Sequence, residues 1–351
     1  MAKKNQTNFQ RTKSTPTLAS KRQTRPLVYR IIKNLTDTRV IEKFFAPHWS
    51  EWYQQPLALS QTKVKIKIRR LNSATRKQEY SLVEYQIFNK RKFCRSIAGS
   101  LNFGANEAKR FKVLKEIFKI KPDLVARPLT YVKNWHTFFY EFIPGRALDS
   151  LLNQNKLTSS IIFSTAEALK KLPAPKHHWR YLSRKNSLLS FFSANLLSNK
   201  KLHPSIYPRI QNLYNQAKHC LTKTQPQPLT ICHGDLAPSN IIMTGKQGIR
   251  FIDWDYAHLN EPLYDAAYFS AHLIDTLTVN NLKAKKILRW RNSFIKAYKK
   301  NRSFPHARFL AYESLFLATI VSHLVRCYGL KGVESRTKSM LKLGEENLFS
   351  L

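Results

Sequence analysis

Apolar and polar positions change their period several times along this chain. Over LVYRIIKNLTDTRVIEKFFA, residues 27–46, apolar residues recur at helical spacing. KVKIKIRRL (63–71) then alternates with period two, as a strand with one buried face does. YSLVEYQIF (80–88) and KFCRSIA (92–98) are rich in β-branched and aromatic residues, and the polar NKRK (89–92) predicts a hairpin between them. NEAKRFKVLKEIF (106–118) returns to the helical period, with Phe111, Leu114, Ile117 and Phe118 on one side. Two more strands are predicted within 129–143, in LTYVKNW and HTFFYEFI, before Pro144-Gly145 breaks the pattern. The remainder is mainly helical, apart from LTICHGD and the hairpin NIIMTGKQGIRFID. This order predicts an α+β protein. A small lobe of antiparallel strands with one helix (27–143) precedes a larger, mostly helical lobe (144–351).

Composition adds three constraints. At 351 residues with 43% hydrophobic content, the chain is long enough for one large or two medium domains with a real core. No run of about eighteen apolar residues appears. The nearest approach, FLAYESLFLATIVSHLV (309–325), contains Glu313 and His323 and reads as a buried helix. The four cysteines, Cys94, Cys220, Cys232 and Cys327, are far apart in sequence and form no C-x-x-C pair, so a reduced, cytoplasmic setting is expected. Residues 1–36 hold nine Lys/Arg and no acidic residue, and 1–26 is expected to be a disordered basic tail. The net charge is +39. A surface this basic permits peripheral contact with anionic membrane, but no nucleic-acid-binding motif accompanies it, so no specific nucleic acid is expected.

Against that background, acidic residues gather in one place. Between His233 and Asp275 stand Asp235, Asp253, Asp255, Glu261, Asp265 and Asp275, opposed only by Lys246 and Arg250. Like charges held close repel, so the cluster needs solvent, hydrogen-bond donors or a cation. The spacing H-G-D-x4-N, followed thirteen residues later by Asp253, suggests how it is built. A strand ending at Cys232 opens through Gly234 into a loop presenting Asp235 and Asn240, and a hairpin returns Asp253 beside Asn240. Taken singly, Asp235 fits a turn, Asn240 and Asp265 fit helix caps, Asp255 fits a solvated face and His233 fits a loop anchor. Taken together, an amide–carboxylate pair suits Mg²⁺ bound jointly with phosphates, and the lone Asp235 suits orienting a hydroxyl.

HGDLAPSN (233–240) with FIDWDYAHLNEPLYDAAYF (251–269) resembles the aminoglycoside phosphotransferase and choline kinase superfamily, and within it the choline/ethanolamine kinase branch. The resemblance spans roughly residues 60–330 and is specific over 230–270. It implies a bilobal protein-kinase-like fold and a small-molecule kinase using ATP and Mg²⁺. It implies Asp235 as the catalytic residue, supported by His233 and Asp265, with Asn240 and Asp253 as metal ligands. In the small lobe it implies Arg95 as the phosphate-side cation paired with Glu107, and the backbone of Glu141 and Ile143 as the adenine hinge. With nine glycines the chain has no G-x-G-x-x-G, which departs from a kinase phosphate loop. The turn at 71–77, with Ser73 and Thr75, would have to cover the phosphates.

The resemblance further implies an alcohol acceptor, most readily a choline- or ethanolamine-type amino alcohol. A cation of this kind would be held by carboxylates such as Asp255 and Glu261 and by aromatic faces: Trp254, Tyr256, Tyr264, Tyr268, Trp290 and Tyr312 are candidates. Those aromatics serve equally as core. Alternatives are an aminoglycoside or thiamine kinase, or a kinase-fold protein of weak turnover that binds anionic membrane or nucleic acid.

Overall fold

The computed structural model describes residues 29–54, 62–72, 80–102, 107–175, 179, 182, 204–245, 248–280 and 282–349. Contacts divide the chain into two compact units: residues 1–104 with 132–137, and residues 105–131 with 138–351. Helix 107–120 therefore belongs with the second unit, whereas the apolar pattern groups it with the strands before it.

In the first unit the apolar stretch predicted over 27–46 becomes a helical segment at 29–36 followed by α1 (Thr38–Tyr53). Asp37 separates them because its carboxylate caps α1, accepting from the backbone N–H groups of Arg39 and Val40. Ile41, Phe45, Trp49 and Trp52, at helical spacing, are buried. Strands β1 (Thr62–Asn72), β2 (Tyr80–Asn89) and β3 (Lys92–Asn102) form an antiparallel meander with Ile66 opposite Tyr85 and Tyr85 opposite Ile97. Tyr85 is fully buried, and its hydroxyl donates to the Leu35 carbonyl at 3.0 Å. The β2–β3 turn places Lys90 and Arg91 at φ 46° and 70°. A two-residue hairpin wants such left-handed residues, here without the usual Asn-Gly.

The second unit begins with α2 (Glu107–Ile120), then β4 (Pro128–Val132, whose last residue is in the first unit), β5 (Thr137–Glu141, whose first residue is in the first unit) and β6 (Arg146–Ala147). Helices α3 (Leu148–Asn153), α4 (Ser159–Lys170) and α5 (Tyr207–Lys223) follow. Two small sheets come next. β7 (Thr230–Cys232) pairs with β10 (His258–Asn260), and β8 (Ile241–Thr244) lies between β6 and β9 (Gly248–Phe251). Helices α6 (Leu263–Val279), α7 (Ala284–Lys299), α8 (His306–Tyr328) and α9 (Glu334–Phe349) complete the unit.

The apolar stretch at 309–325 lies in α8, which is long and apolar enough to cross a membrane but is mostly buried among the other helices. Its Glu313 is fully buried and meets Arg291 of α7, Ser270 of α6 and Asn347 of α9, so one carboxylate ties four helices together. Removing the cation alone would leave that carboxylate buried without its counter-charge. Arg291→Ala is expected to cost about 3–5 kcal/mol of stability, measured by urea unfolding.

Candidate active site

The site is assembled on a short strand enclosed in the core. β7 is buried throughout, and its partner strand β10 places His258 opposite Cys232. The chain leaves β7 through His233 and Gly234. Gly234 has φ 82°, and a Cβ there would lie 2.2 Å from the Tyr256 carbonyl oxygen, so only glycine fits the turn. Both backbone N–H groups at this corner donate to one carboxylate: His233 N to Asp265 Oδ2 at 2.6 Å, and Gly234 N to Asp265 Oδ1 at 3.0 Å. Asp265 lies in the first turn of α6 and is 1% exposed. Burial pushes its carboxyl up to about 7, while the two N–H donors pull the other way.

His233 is fully buried, and its ring bridges two segments. Nε2 lies 2.7 Å from the Ile252 carbonyl, and Nδ1 lies 3.4 Å from the Asp235 backbone N–H. Those partners require the neutral tautomer protonated on Nε2. Burial holds its pKa down at about 4. Both ring nitrogens thus face backbone groups, which makes His233 an anchor of the loop and not a proton carrier.

Asp235 follows. Asn240, in the short turn Pro238–Asn240, donates Nδ2 to the Asp235 carbonyl at 2.8 Å and to Asp235 Oδ2 at 3.3 Å. The β8–β9 hairpin pairs Ile241 with Phe251, and the next residue, Ile252, donates its N–H to the Asn240 carbonyl at 3.0 Å. The return strand therefore delivers Asp253 beside Asn240. Asp253 adopts φ 65°, an uncommon conformation for a residue with a side chain, which turns the backbone sharply out of the strand. From α2, Arg110 Nη2 reaches Asp253 Oδ1 at 3.1 Å, and Arg110 Nε contacts Asp255. The Arg110 side chain is 6% exposed, against 39% for that of Asp253.

The donors present fit a magnesium ion. Asn240 uses its amide nitrogen on Asp235, which leaves its carbonyl oxygen as the group able to ligate. Asp253 is partly open to solvent and meets Arg110 through Oδ1. Among the described residues no group of three or more His, Cys, Asp or Glu forms a closed metal cage. One carboxylate and one amide oxygen match an ion that keeps waters and shares phosphate oxygens.

Residues 105–309 match the phosphotransferase enzyme family known as APH. The chain belongs to this family. The APH match runs from α2 into the start of α8 and includes every site residue described above. Mouse ethanolamine kinase 1 is 29% identical over 180 residues, 47% of this chain and 48% of that protein. The chain thus spans about half the length of this curated relative. A choline/ethanolamine kinase family protein from Mesorhizobium loti superposes with a TM-score of 0.56 at 16% identity, over 80% of this chain and 92% of that one. An AMP-bound spectinomycin phosphotransferase superposes with a TM-score of 0.52 at 14% identity, over 74% of this chain and 90% of that one. At these identities the two structures establish a fold shared with choline-kinase-type and aminoglycoside-type APH enzymes, in agreement with the expected α+β kinase-like architecture.

The remaining residues singled out in the sequence have the following surroundings. Glu261 is 2% exposed and is gripped by the Arg308 guanidinium, the Tyr312 hydroxyl and the Gln227 N–H, so it is a structural carboxylate unable to meet a cationic acceptor. Trp254, Tyr264 and Tyr312 are buried in the helical core, which removes them from an acceptor cage. Tyr256 is 52% exposed, Trp290 is half-buried, and Asp255 faces Arg110. Arg95 is exposed on β3, with its guanidinium 4.3 Å from the Tyr53 ring centre. Ser73 and the Glu107 side chain lie outside the described residues. Glu141 ends β5 with its N–H on the Arg127 carbonyl at 2.9 Å, and Ile143 is half-buried two residues on.

Arg110 was not anticipated. Its helical position marks it as buried, and a buried arginine demands carboxylates; that signal was available three residues after Glu107.

Two outcomes are expected. Gly234→Ala is expected to abolish activity and lower the melting temperature, since the new methyl group meets backbone and not a flexible side chain. Stability is also expected to fall with acidification from pH 6.5 to about 4. His233 and His272 are both held by burial at about 4 against 6.5 when unfolded, so the unfolded chain takes up their protons first. Asp265, raised to about 7 from 3.8, acts in the opposite direction, and two histidines outweigh it. Calorimetric scans across this range test the sign, and His272→Phe is expected to flatten the slope.

Proposed function

We propose that this phosphotransferase moves the γ-phosphoryl group of ATP to the hydroxyl of a small alcohol, most readily a choline- or ethanolamine-type amino alcohol. The observation that carries the reading is the convergence of Asp235, Asn240 and Asp253 through one loop and one hairpin. The ethanolamine kinase relative and the choline/ethanolamine kinase neighbour support the acceptor class. The AMP complex of the spectinomycin enzyme supports nucleotide use.

Asp235 orients the acceptor hydroxyl and takes its proton as the oxygen–phosphorus bond forms. The bond from phosphorus to the bridging oxygen breaks, and ADP leaves with that electron pair. Asn240 and Asp253 would hold Mg²⁺, which would offset negative charge on the phosphates. His233, Gly234 and Asp265 fix the loop so that Asp235 needs no rearrangement. In the nucleotide role we assign Arg95 and Glu107 to the phosphate side, Ser73 to the covering turn and the backbone of Glu141 and Ile143 to adenine. The chain's basic surface suits peripheral contact with anionic membrane.

ATP consumption across choline, ethanolamine, thiamine and aminoglycosides tests the reading. The expected result is turnover with an amino alcohol, lost by about 10²–10⁴-fold in Asp235→Asn while ADP binding persists. Turnover with aminoglycosides alone would replace the acceptor and keep the kinase. No acceptor-stimulated turnover at all would sink the kinase reading.

A further inference from the structure

Helix α6 meets the site loop twice, and only one of those contacts has been given a role. Asp265 binds the loop backbone. Three residues later, on the same face of the helix, Tyr268 donates its hydroxyl to Asp235 Oδ1 at 2.5 Å. With Asn240 Nδ2 on Oδ2, each carboxylate oxygen of Asp235 has a neutral donor. The sequence offers Tyr268 as an aromatic face for a cation; the structure points its hydroxyl elsewhere.

The phenol has little freedom. Its ring stacks on His272 with centres 4.4 Å apart and planes 26° apart, and it meets Phe316 edge-on at 4.9 Å. His272 is kept neutral by burial, so it sets no second charge beside Asp235. Burial and the neighbouring Asp235 charge push the Tyr268 phenol far above its ordinary range, so it remains a donor. A carboxylate has two oxygens and about four lone-pair directions. A donor clamped on one oxygen by a fixed ring, and another on the second by the loop, settle the rotation of the carboxylate about its Cβ–Cγ bond. The remaining lone pair on each oxygen then has a fixed direction.

We infer that Tyr268 is a positioning residue for phosphoryl transfer, fixing the Asp235 carboxylate in the rotation that receives the acceptor hydroxyl. This rests on the kinase reading above, so the test has one readout that needs turnover and one that does not. In the full chain, Tyr268→Phe removes the hydroxyl and keeps the ring. Its kcat is expected to fall about 10- to 100-fold, with KM for ATP and the dissociation constant for ADP within about twofold of wild type. Tyr298→Phe is the control. It deletes another hydroxyl of a largely buried tyrosine, one that donates to the Pro262 carbonyl, and is expected to lower the melting temperature while leaving kcat within about twofold. The second readout is a thermal double-mutant cycle of Tyr268→Phe with Asp235→Ala. The double variant is expected to lose less melting temperature than the two single losses combined. A Tyr268→Phe enzyme with unchanged kcat would overturn the inference. So would a kcat loss matched by an equal loss of ADP affinity. If no acceptor supports turnover, the cycle decides alone, and additive losses reject the contact as a coupled pair.

Discussion

A single buried carboxylate, Asp265, determines where the chemistry can happen. A charge that deep is tolerable only with strong donors, and its donors are two consecutive backbone N–H groups at the mouth of the site loop. Because the acid sits in the first turn of α6, the loop is fastened to a helix inside the core and not to a surface segment. The neutral imidazole of His233 then ties the same corner to the end of the β8–β9 hairpin. Three chain segments within residues 233–265 meet through these two side chains, and Asp235, Asn240 and Asp253 take their positions from that junction.

The chain's excess of cationic residues is also used inside. Glu261 meets Arg308, Glu313 meets Arg291, Asp275 meets Arg336, and Asp253 with Asp255 meets Arg110. Glu261 and Glu313 are almost wholly enclosed, and such ion pairs add less net stability than their Coulomb attraction suggests. What they do supply is a set of fixed positions, since each arginine fork fits a carboxylate in few orientations. The Asp235 side chain takes hydrogen bonds from the Tyr268 phenol and the Asn240 amide, which orient its carboxylate.

Much of this was legible in the residues. Strands with period two and helices with period 3.6 appear within a few residues of their expected bounds, because burial of one face imposes those periods directly. The His233–Asn240 loop and its returning hairpin were legible because a glycine, a tight turn and short strands leave few ways to close. The roles of Glu261, Trp254, Tyr264 and Tyr312 were not. An acidic residue or an aromatic ring reads the same in sequence whether it faces a ligand or an arginine in the core, and only packing separates the two. For Arg110 the sequence signals burial, since it shares the apolar face of α2, but its partners lie more than 140 residues away and are not named by that signal.

The hydrogen bonds from His233 and Gly234 to Asp265 have a consequence for motion. Their acceptor is buried in a helix that is itself enclosed, so these two amides cannot reach water by a flicker of the loop. Exchange of their protons for deuterium requires both bonds to Asp265 to break. The segment carrying the proposed base is therefore tied to the core, unlike the mobile loops on which binding residues are often found.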